Sequence, residues 1–344
     1  MHKIGNRLNK LSERVGRGMA VKFGRYRWLG YMIVVLTLVV IGIPALLVRG
    51  CSWESREPVK EEGVQVKLQI SEEEIISLPL EQYLIGVVAA EMPVSFHEEA
   101  LKAQAVAART YCLLRMVREE EDDQHPEAHL CADPGHCQAW ISNEEMRKRW
   151  GWNYRPNYQK IRSAVLATVG ELLTYEGQLI DPVYHSSCGG RGTEDAREVW
   201  GHEVPYLKRA VCSYDAPEKQ KPVNTQISLQ ELFTKLKISD QAIPAAGFEL
   251  IKIQERTESG RVKKVKVGSQ VFSGVELRKR LGLRSTDFKV ACTKEKVLFS
   301  TRGYGHAVGM CQYGANGLAQ SGAKYDEILS HYYQGTKLKT IPEK

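Results

Sequence analysis

One carboxylate at the end of an apolar run is the first group in this chain placed to do chemistry. Gly86-Val87-Val88-Ala89-Ala90-Glu91-Met92-Pro93 puts Glu91 just ahead of a proline. Leu80, Tyr83, Leu84, Val87 and Val88 share one helical face, so a helix is expected to start near Pro79. Pro93 disfavours helical geometry at Met92 and should end that helix about where Glu91 sits. Ser95 and Glu98 then spell a capping box before the alanine-rich stretch Ala100–Tyr111, a second helix that another element can approach closely. Glu91 is therefore expected in a tight, mostly apolar helix–helix corner. Burial there raises a carboxyl pKa, and a carboxylic acid kept protonated near neutral pH is what a general acid needs. A glutamate facing water at a helix end is the plain alternative.

Three further constellations carry chemical groups. His125, His129, Cys131, His136 and Cys137 fall in a short, turn-rich stretch with little apolar content. Such a stretch cannot fold on its own burial, and four N/S donors suit tetrahedral zinc in a structural role. Cys131, His136 and Cys137 are three of the ligands on this reading, and His125 or His129 is the fourth. A Cys131–Cys137 disulfide beside unrelated histidines is the competing reading. Tyr184 to Arg191 runs from a strand end into two glycines; a Cys188–His185 or serine–histidine nucleophile is conceivable there, but no orienting acid is adjacent. Arg302 to Ala315 interleaves Gly303, Gly305, Gly309 and Gly314 with His306, Gln312 and Tyr313. The glycines permit close backbone approach to a ligand, and the polar groups offer donors and a stacking face, as in sugar sites.

The elements that must position these groups form a mixture. Val64–Ile70 alternates with period two and reads as a strand. A helix is expected over Tyr158–Val169, and a hairpin from Glu171–Tyr175 with Leu179–Tyr184. Ser228 caps a short helix, Leu229–Leu236. A second hairpin turns at Glu258-Ser259-Gly260, followed by a helix over Val275–Leu281, a strand over Val297–Ser300 and a last helix over Tyr325–Tyr333. Hairpins and helices without regular strand–helix alternation argue for an α+β fold.

Charge is unevenly spread along the 344 residues. Eight basic residues against Glu13 in the first 27 positions account for the whole net charge of +7, so the remainder is neutral and nothing argues for nucleic-acid binding. Trp28–Val48 carries no charge over 21 residues, long enough to span a bilayer as a helix. The basic tail before it orients the N-terminus inside and the rest of the chain outside the cytoplasm. A cleaved signal peptide is the alternative. The expected organisation is a basic tail (1–27), a transmembrane helix (28–48), a polar linker (49–62) and an exported domain (63–344). Eight cysteines in an exported chain also invite a disulfide reading.

Together, Val87–Pro93, Glu99–Tyr111, Ser186–Gly190 and Arg302–Ala315 resemble the SpoIID family of sporulation proteins and its relatives among amidase enhancers. The resemblance spans residues 64–335. It implies a lytic transglycosylase that cuts peptidoglycan glycan strands during engulfment of the forespore, with the glutamate matching Glu91 as catalytic acid. Zinc-bearing members have a His-x5-Cys-x4-His-Cys pattern, which here selects His125, Cys131, His136 and Cys137 and leaves His129 out. Peptide-free strands, a SpoIIP-like partner amidase and a SpoIIM-like membrane anchor are implied as well. Among polar residues of the shared motifs, Gln312 and Tyr313 are expected to hydrogen-bond the saccharide. Ser187 and His306 should lie near the scission point, and Arg109 should border the substrate site by orienting a loop or Glu91. Family members often have glycine and serine where this chain has Ala307 and Cys311.

A lytic transglycosylase also answers a difficulty in the sequence. Ordinary glycoside hydrolysis uses two carboxyl groups about 5–9.5 Å apart, and only Glu91 has a convincing setting. A non-catalytic module that grips glycan and activates an amidase is the rival from another class.

Overall fold

The computed structural model describes residues 28, 31–32, 34–42, 63–118, 124–214, 220–238, 250–293 and 295–341. The chain divides into two units, residues 1–58 and 59–344. In the first unit the described part of the expected membrane span is helical, with a π-helical stretch at Leu38–Gly42. Among the described residues no helix is long and apolar enough to cross a membrane. The remainder of that span, the basic tail and the linker 49–62 lie outside the described residues.

The second unit is α+β. Strands β1 (Gln65–Ser71) and β2 (Glu74–Pro79) form an antiparallel hairpin, and β3 (Leu130–Cys131) adds to β1 in parallel. Helix α1 (Leu80–Glu91) follows β2 directly. Met92 is extended (φ −118°, ψ 140°), so the helix stops where the coming proline requires. Helix α2 (Glu98–Arg118) is the central rod. It packs against α1, α4 (Tyr154–Leu166), α8 (Gln312–Gln320), α9 (Tyr325–Tyr332) and strand β4 (Glu171–Tyr175). Ala100, Ala103, Ala105, Ala107 and Ala108 are all fully buried, and only side chains this small let so many elements close on one helix. The expected Ser95 cap does not form the helix start. The helix begins at Glu98, and the His97 ring Nδ1 accepts the Glu99 N–H at 3.3 Å instead.

Between α2 and β4 come α3 (Asn143–Trp150), started by a Ser142–Glu145 capping box, and α4. Strand β4 is flanked by β5 (Gln178–Leu179) and β14 (Lys337–Thr340). The expected partner of β4 was a strand running to Tyr184; that end instead forms β6 (Tyr184–His185), paired in parallel with β13 (Met310–Cys311). This short pair, beside the short helix α5 (Ala196–Trp200), brings two distant glycine-rich segments together.

A second hydrophobic core belongs to residues 223–301. It holds β7 (Val223–Ser228), α6 (Leu229–Leu236), β8 (Ile251–Arg256), β9 (Val262–Val267), β10 (Gln270–Ser273), α7 (Gly274–Leu281), β11 (Phe288–Cys292) and β12 (Lys296–Thr301). Its sheets run β11-β12-β7 and β10-β9-β8. Buried Arg261 fastens this lobe to the rest. Its guanidinium meets Glu194 at 3.2 Å and donates to the Cys188 and Gly192 carbonyls at 2.8 Å each.

Arg109 plays the same part on the other side. Its Nε and Nη2 clamp Glu81 at 2.9 and 2.7 Å, and its remaining N–H groups reach Thr168, Val165 O and Glu171 O. All five donors of the guanidinium are thereby engaged, joining α1, α2, the end of α4 and β4, and none is left for a saccharide. Arg109→Met strands the Glu81 carboxylate and frees those carbonyls. Urea unfolding of this variant is expected to show a loss of about 3 kcal/mol, with glycan binding by the folded fraction unchanged. A binding loss without a stability loss would return Arg109 to the substrate site.

Candidate active site

Glu91 ends α1 at the floor of a cleft of ≈ 420 Å³. It is the one carboxylate among the lining residues. Two groups hold it. The Ala139 N–H donates to Oε1 at 2.9 Å, and the Gln312 side-chain amide donates to Oε2 at 3.2 Å. Burial among apolar neighbours raises the carboxyl above its ordinary pKa; the bonds from Ala139 and Gln312, which favour the charged form, draw it partly back. The group is thus a weakened acid held in one orientation.

Each donor is fixed from behind. Gln312 is the first residue of α8 and is nearly fully buried; its amide also reaches Gln104 Oε1 on α2 at 3.4 Å. Ala139 lies in the segment 138–141, which runs over α1. Tyr83 Oη donates to Gln138 Oε1 at 3.1 Å, and the Trp140 ring sits on Gly86 so closely that a Cβ there would fall 2.1 Å from the indole nitrogen. Gly86 is therefore needed for the approach that delivers the Ala139 N–H to Glu91.

The rim supplies cations and rings. Arg149, at the end of α3, donates to the Ala89 carbonyl at 3.0 Å, and Trp150 follows it in the lining. The Arg284 guanidinium stacks over the Tyr304 ring at 5.0 Å. Tyr313 also lines the cleft, edge-on to Phe96 at 4.9 Å. Tyr304 belongs to the glycine-rich stretch Arg302–Ala315, whereas nothing in the sequence reading points to Arg149, Trp150 or Arg284. The run Arg147-Lys148-Arg149-Trp150-Gly151-Trp152 was the available signal, a basic and aromatic cluster directly behind a capping box.

The structure brings Gln312 and Tyr313 to Glu91 but places Ser187, His306 and Arg109 outside the cleft lining. Ser186 lines it, while Ser187 is buried and pairs backbone to backbone with Tyr304 at 2.8 and 3.0 Å. His306 has both ring nitrogens engaged: Nε2 with the Tyr184 carbonyl at 2.9 Å and Nδ1 with the Val308 N–H at 3.1 Å. Burial lowers its pKa to about 4, so the ring is neutral and ties the glycine-rich loop to β6. His185 is likewise buried and lowered to about 3, chiefly by desolvation, which removes it as a base for Cys188. Ala307 takes φ +70°, a conformation that favours glycine.

A separate set sits on the loop before Ala139. The donor atoms of His125, Cys131, His136 and Cys137 all lie within 4.8 Å of one another. His125 Nε2 is 3.2 Å from Cys137 Sγ, and His136 Nδ1 is 3.5 Å from both sulfurs. The other ring nitrogen of His125 faces the Ala128 carbonyl at 3.1 Å, the arrangement that orients a metal-ligating histidine. Two sulfur and two nitrogen donors at this closeness could hold a tetrahedral ion. His129 points elsewhere: its Nδ1 accepts the Lys67 N–H at 3.0 Å.

Comparison with known proteins identifies the family. The SpoIID family model, "Stage II sporulation protein", matches residues 69–175. Stage II sporulation protein D of Bacillus subtilis is 35% identical over 82% of this chain and 81% of its own length. The protein of the same name from Bacillus amyloliquefaciens is 36% identical over 81% and 80%. The amidase enhancer of Bacillus subtilis is 30% identical over 74% of this chain and 40% of its own length. The chain belongs to the SpoIID family of sporulation proteins.

Proposed function

We propose that this chain is a lytic transglycosylase that cuts peptidoglycan glycan strands, with Glu91 as its acid and its base. One observation carries the reading: a single carboxylate, half-buried and raised in pKa, lines a cleft whose other charged groups are two arginines. Membership of a sporulation family that acts on the cell wall supports the substrate class. Protonated Glu91 gives its proton to the glycosidic oxygen as the bond to the muramic acid anomeric carbon breaks. The carboxylate then takes the proton of the muramic acid 6-hydroxyl, whose oxygen closes onto the same carbon. The product carries a 1,6-anhydro ring, the proton returns to Glu91, and no water is consumed. No second carboxylate is required. Gln312 and Tyr313 hold the sugar, Trp150 offers a stacking face, and Arg149 and Arg284 suit the lactyl carboxylates that peptide-free strands expose.

In the same proposal, zinc fills the His125, Cys131, His136 and Cys137 set in a structural role. It fastens the loop that continues into Gln138–Ile141, and so supports the Ala139 bond to Glu91. The chain is anchored by residues 28–48 with its second unit outside the cytoplasm, at the sporulation septum. It works beside a SpoIIP-like amidase that strips the strands, with a SpoIIM-like membrane protein as anchor. The amidase-enhancer relative favours a second reading, a glycan-binding activator without catalysis of its own.

Three outcomes test the proposal. Peptide-free strands digested with the purified chain should give anhydro-ended fragments by mass spectrometry, and Glu91→Gln should lower their rate by about 10²–10⁴-fold. Fragments one water heavier would mean hydrolysis. No cleavage by either protein, with strand binding kept, would favour the activator. The second outcome concerns pH. Activity needs the protonated acid, so it falls as pH rises through the raised pKa of Glu91. Gln312→Leu removes a bond that favours the carboxylate, so the alkaline limb of the profile should move to higher pH; movement downward would contradict the geometry. Third, Cys131→Ser should cost about one equivalent of bound zinc, the content of one tetrahedral set. It should lower cleavage as well, while unchanged metal content would remove the zinc assignment.

A further inference from the structure

Cys188, Cys212 and Cys311 come from three distant parts of the chain and meet behind the cleft. Their sulfur atoms all lie within 4.8 Å of one another. Each residue is at most 2% exposed. No carboxylate or imidazole belongs to this group, so its donor set is all sulfur.

The surroundings are built for sulfur rather than filled by it. Cys311 Sγ receives two backbone N–H bonds, from Cys188 at 3.2 Å and from Gly314 at 3.3 Å. Cys311 is also the N-cap of the nine-residue helix α8, whose N-terminal end favours negative charge. Tyr332 Oη lies 3.2 Å from Cys212 Sγ. Gly314 makes the room: a Cβ there would fall 2.2 Å from Cys212 Sγ and 2.3 Å from Tyr332 Oη. Packing alone does not call for two N–H groups and a helix end aimed at one buried thiol. A disulfide would use two of the sulfurs and leave the third unexplained. A cation uses all three, and it offsets the larger part of the buried thiolate charge when it is divalent.

We propose that Cys188, Cys212 and Cys311 form an all-thiolate site for a soft d10 metal ion, distinct from the His125–Cys137 set. Soft ligands of this kind select zinc, copper(I) and their congeners. On binding, three thiols release three protons and each sulfur donates a lone pair to the ion; nothing is oxidised or reduced. The bound ion joins the loop after β6, the segment around Cys212 and the start of α8. Gln312 is the next residue, so the ion stiffens the element that holds Glu91 from one side.

Cadmium is the probe, because its thiolate complexes absorb in the ultraviolet in proportion to the number of sulfurs bound. The full chain, reduced and stripped of metal, is titrated with Cd2+. About two equivalents are expected, one for each donor set. Cys188→Ser and Cys212→Ser should each lose about one equivalent and the larger share of the absorbance. Cys131→Ser should lose the other equivalent, and Cys292→Ser neither. Because a core serine can impair folding, cadmium-113 NMR of the wild-type chain is the second measurement, and two resonances, one in the all-sulfur range, are expected. A single equivalent with a single resonance, unaltered by Cys188→Ser, would overturn the proposal. So would a disulfide among these three cysteines recovered from the native chain by non-reducing peptide mapping.

Discussion

The Glu91 carboxyl is the constraint to which the structure around it answers. A carboxyl taken out of water is harder to ionise, and one with too many donors becomes easy to ionise again. Glu91 has two, the Ala139 N–H and the Gln312 amide. Desolvation outweighs them, so the acid stays weak while its direction is fixed. That balance fails if the corner opens to water, or if a cation comes within bonding distance. The arginines Arg149 and Arg284 stand at the rim, where they can meet an anion without pairing with the acid.

Two different parts of the chain deliver the two donors. Ala139 arrives from the loop that carries His125, Cys131, His136 and Cys137, and is held down by Tyr83, Gly86 and Trp140. Gln312 arrives from α8, whose first turn is tied to Cys188 and Cys311. Between them runs the alanine-rich α2, close enough for Gln104 to touch Gln312. Buried Arg109 and Arg261 lock the flanks by using guanidinium donors on backbone carbonyls and one acid each. The catalytic reading therefore rests on packing at several distant places, in which a small residue or a fully engaged charge is required.

Much of this could be read from the chain before folding. The proline after Met92 marked the end of α1, and with it the position of Glu91. The spacing of histidines and cysteines marked Cys131, His136 and Cys137 and left His125 or His129 as the fourth donor; the family pattern selected His125, the one the fold gathers with them. Other features depend on contacts that no local pattern carries. The role of Arg109 is decided by Glu81, 28 residues away, and by carbonyls at the end of α4. The β6–β13 pair is two residues long on each side, too short to show a period, yet it brings Ser186 next to Tyr313. His306 looked like a sugar ligand because glycines surround it; in the fold, both nitrogens serve those same glycine-rich turns. His97 displaced the Ser95 cap because Pro93 to Phe96 close a separate turn, with the Phe96 N–H donating to the Pro93 carbonyl at 3.0 Å, and the helix starts only after it.

The most direct test of the account is the titration of Glu91 itself. Carbon-13 NMR of the glutamate-labelled chain, assigned with Glu91→Gln and read in the absence of glycan, follows that one carboxyl through pH. The account predicts an apparent pKa clearly above the ordinary glutamate value of about 4.3. A value at or below it would mean that the carboxyl is ionised where it should be an acid, and the general-acid role of Glu91 would be lost.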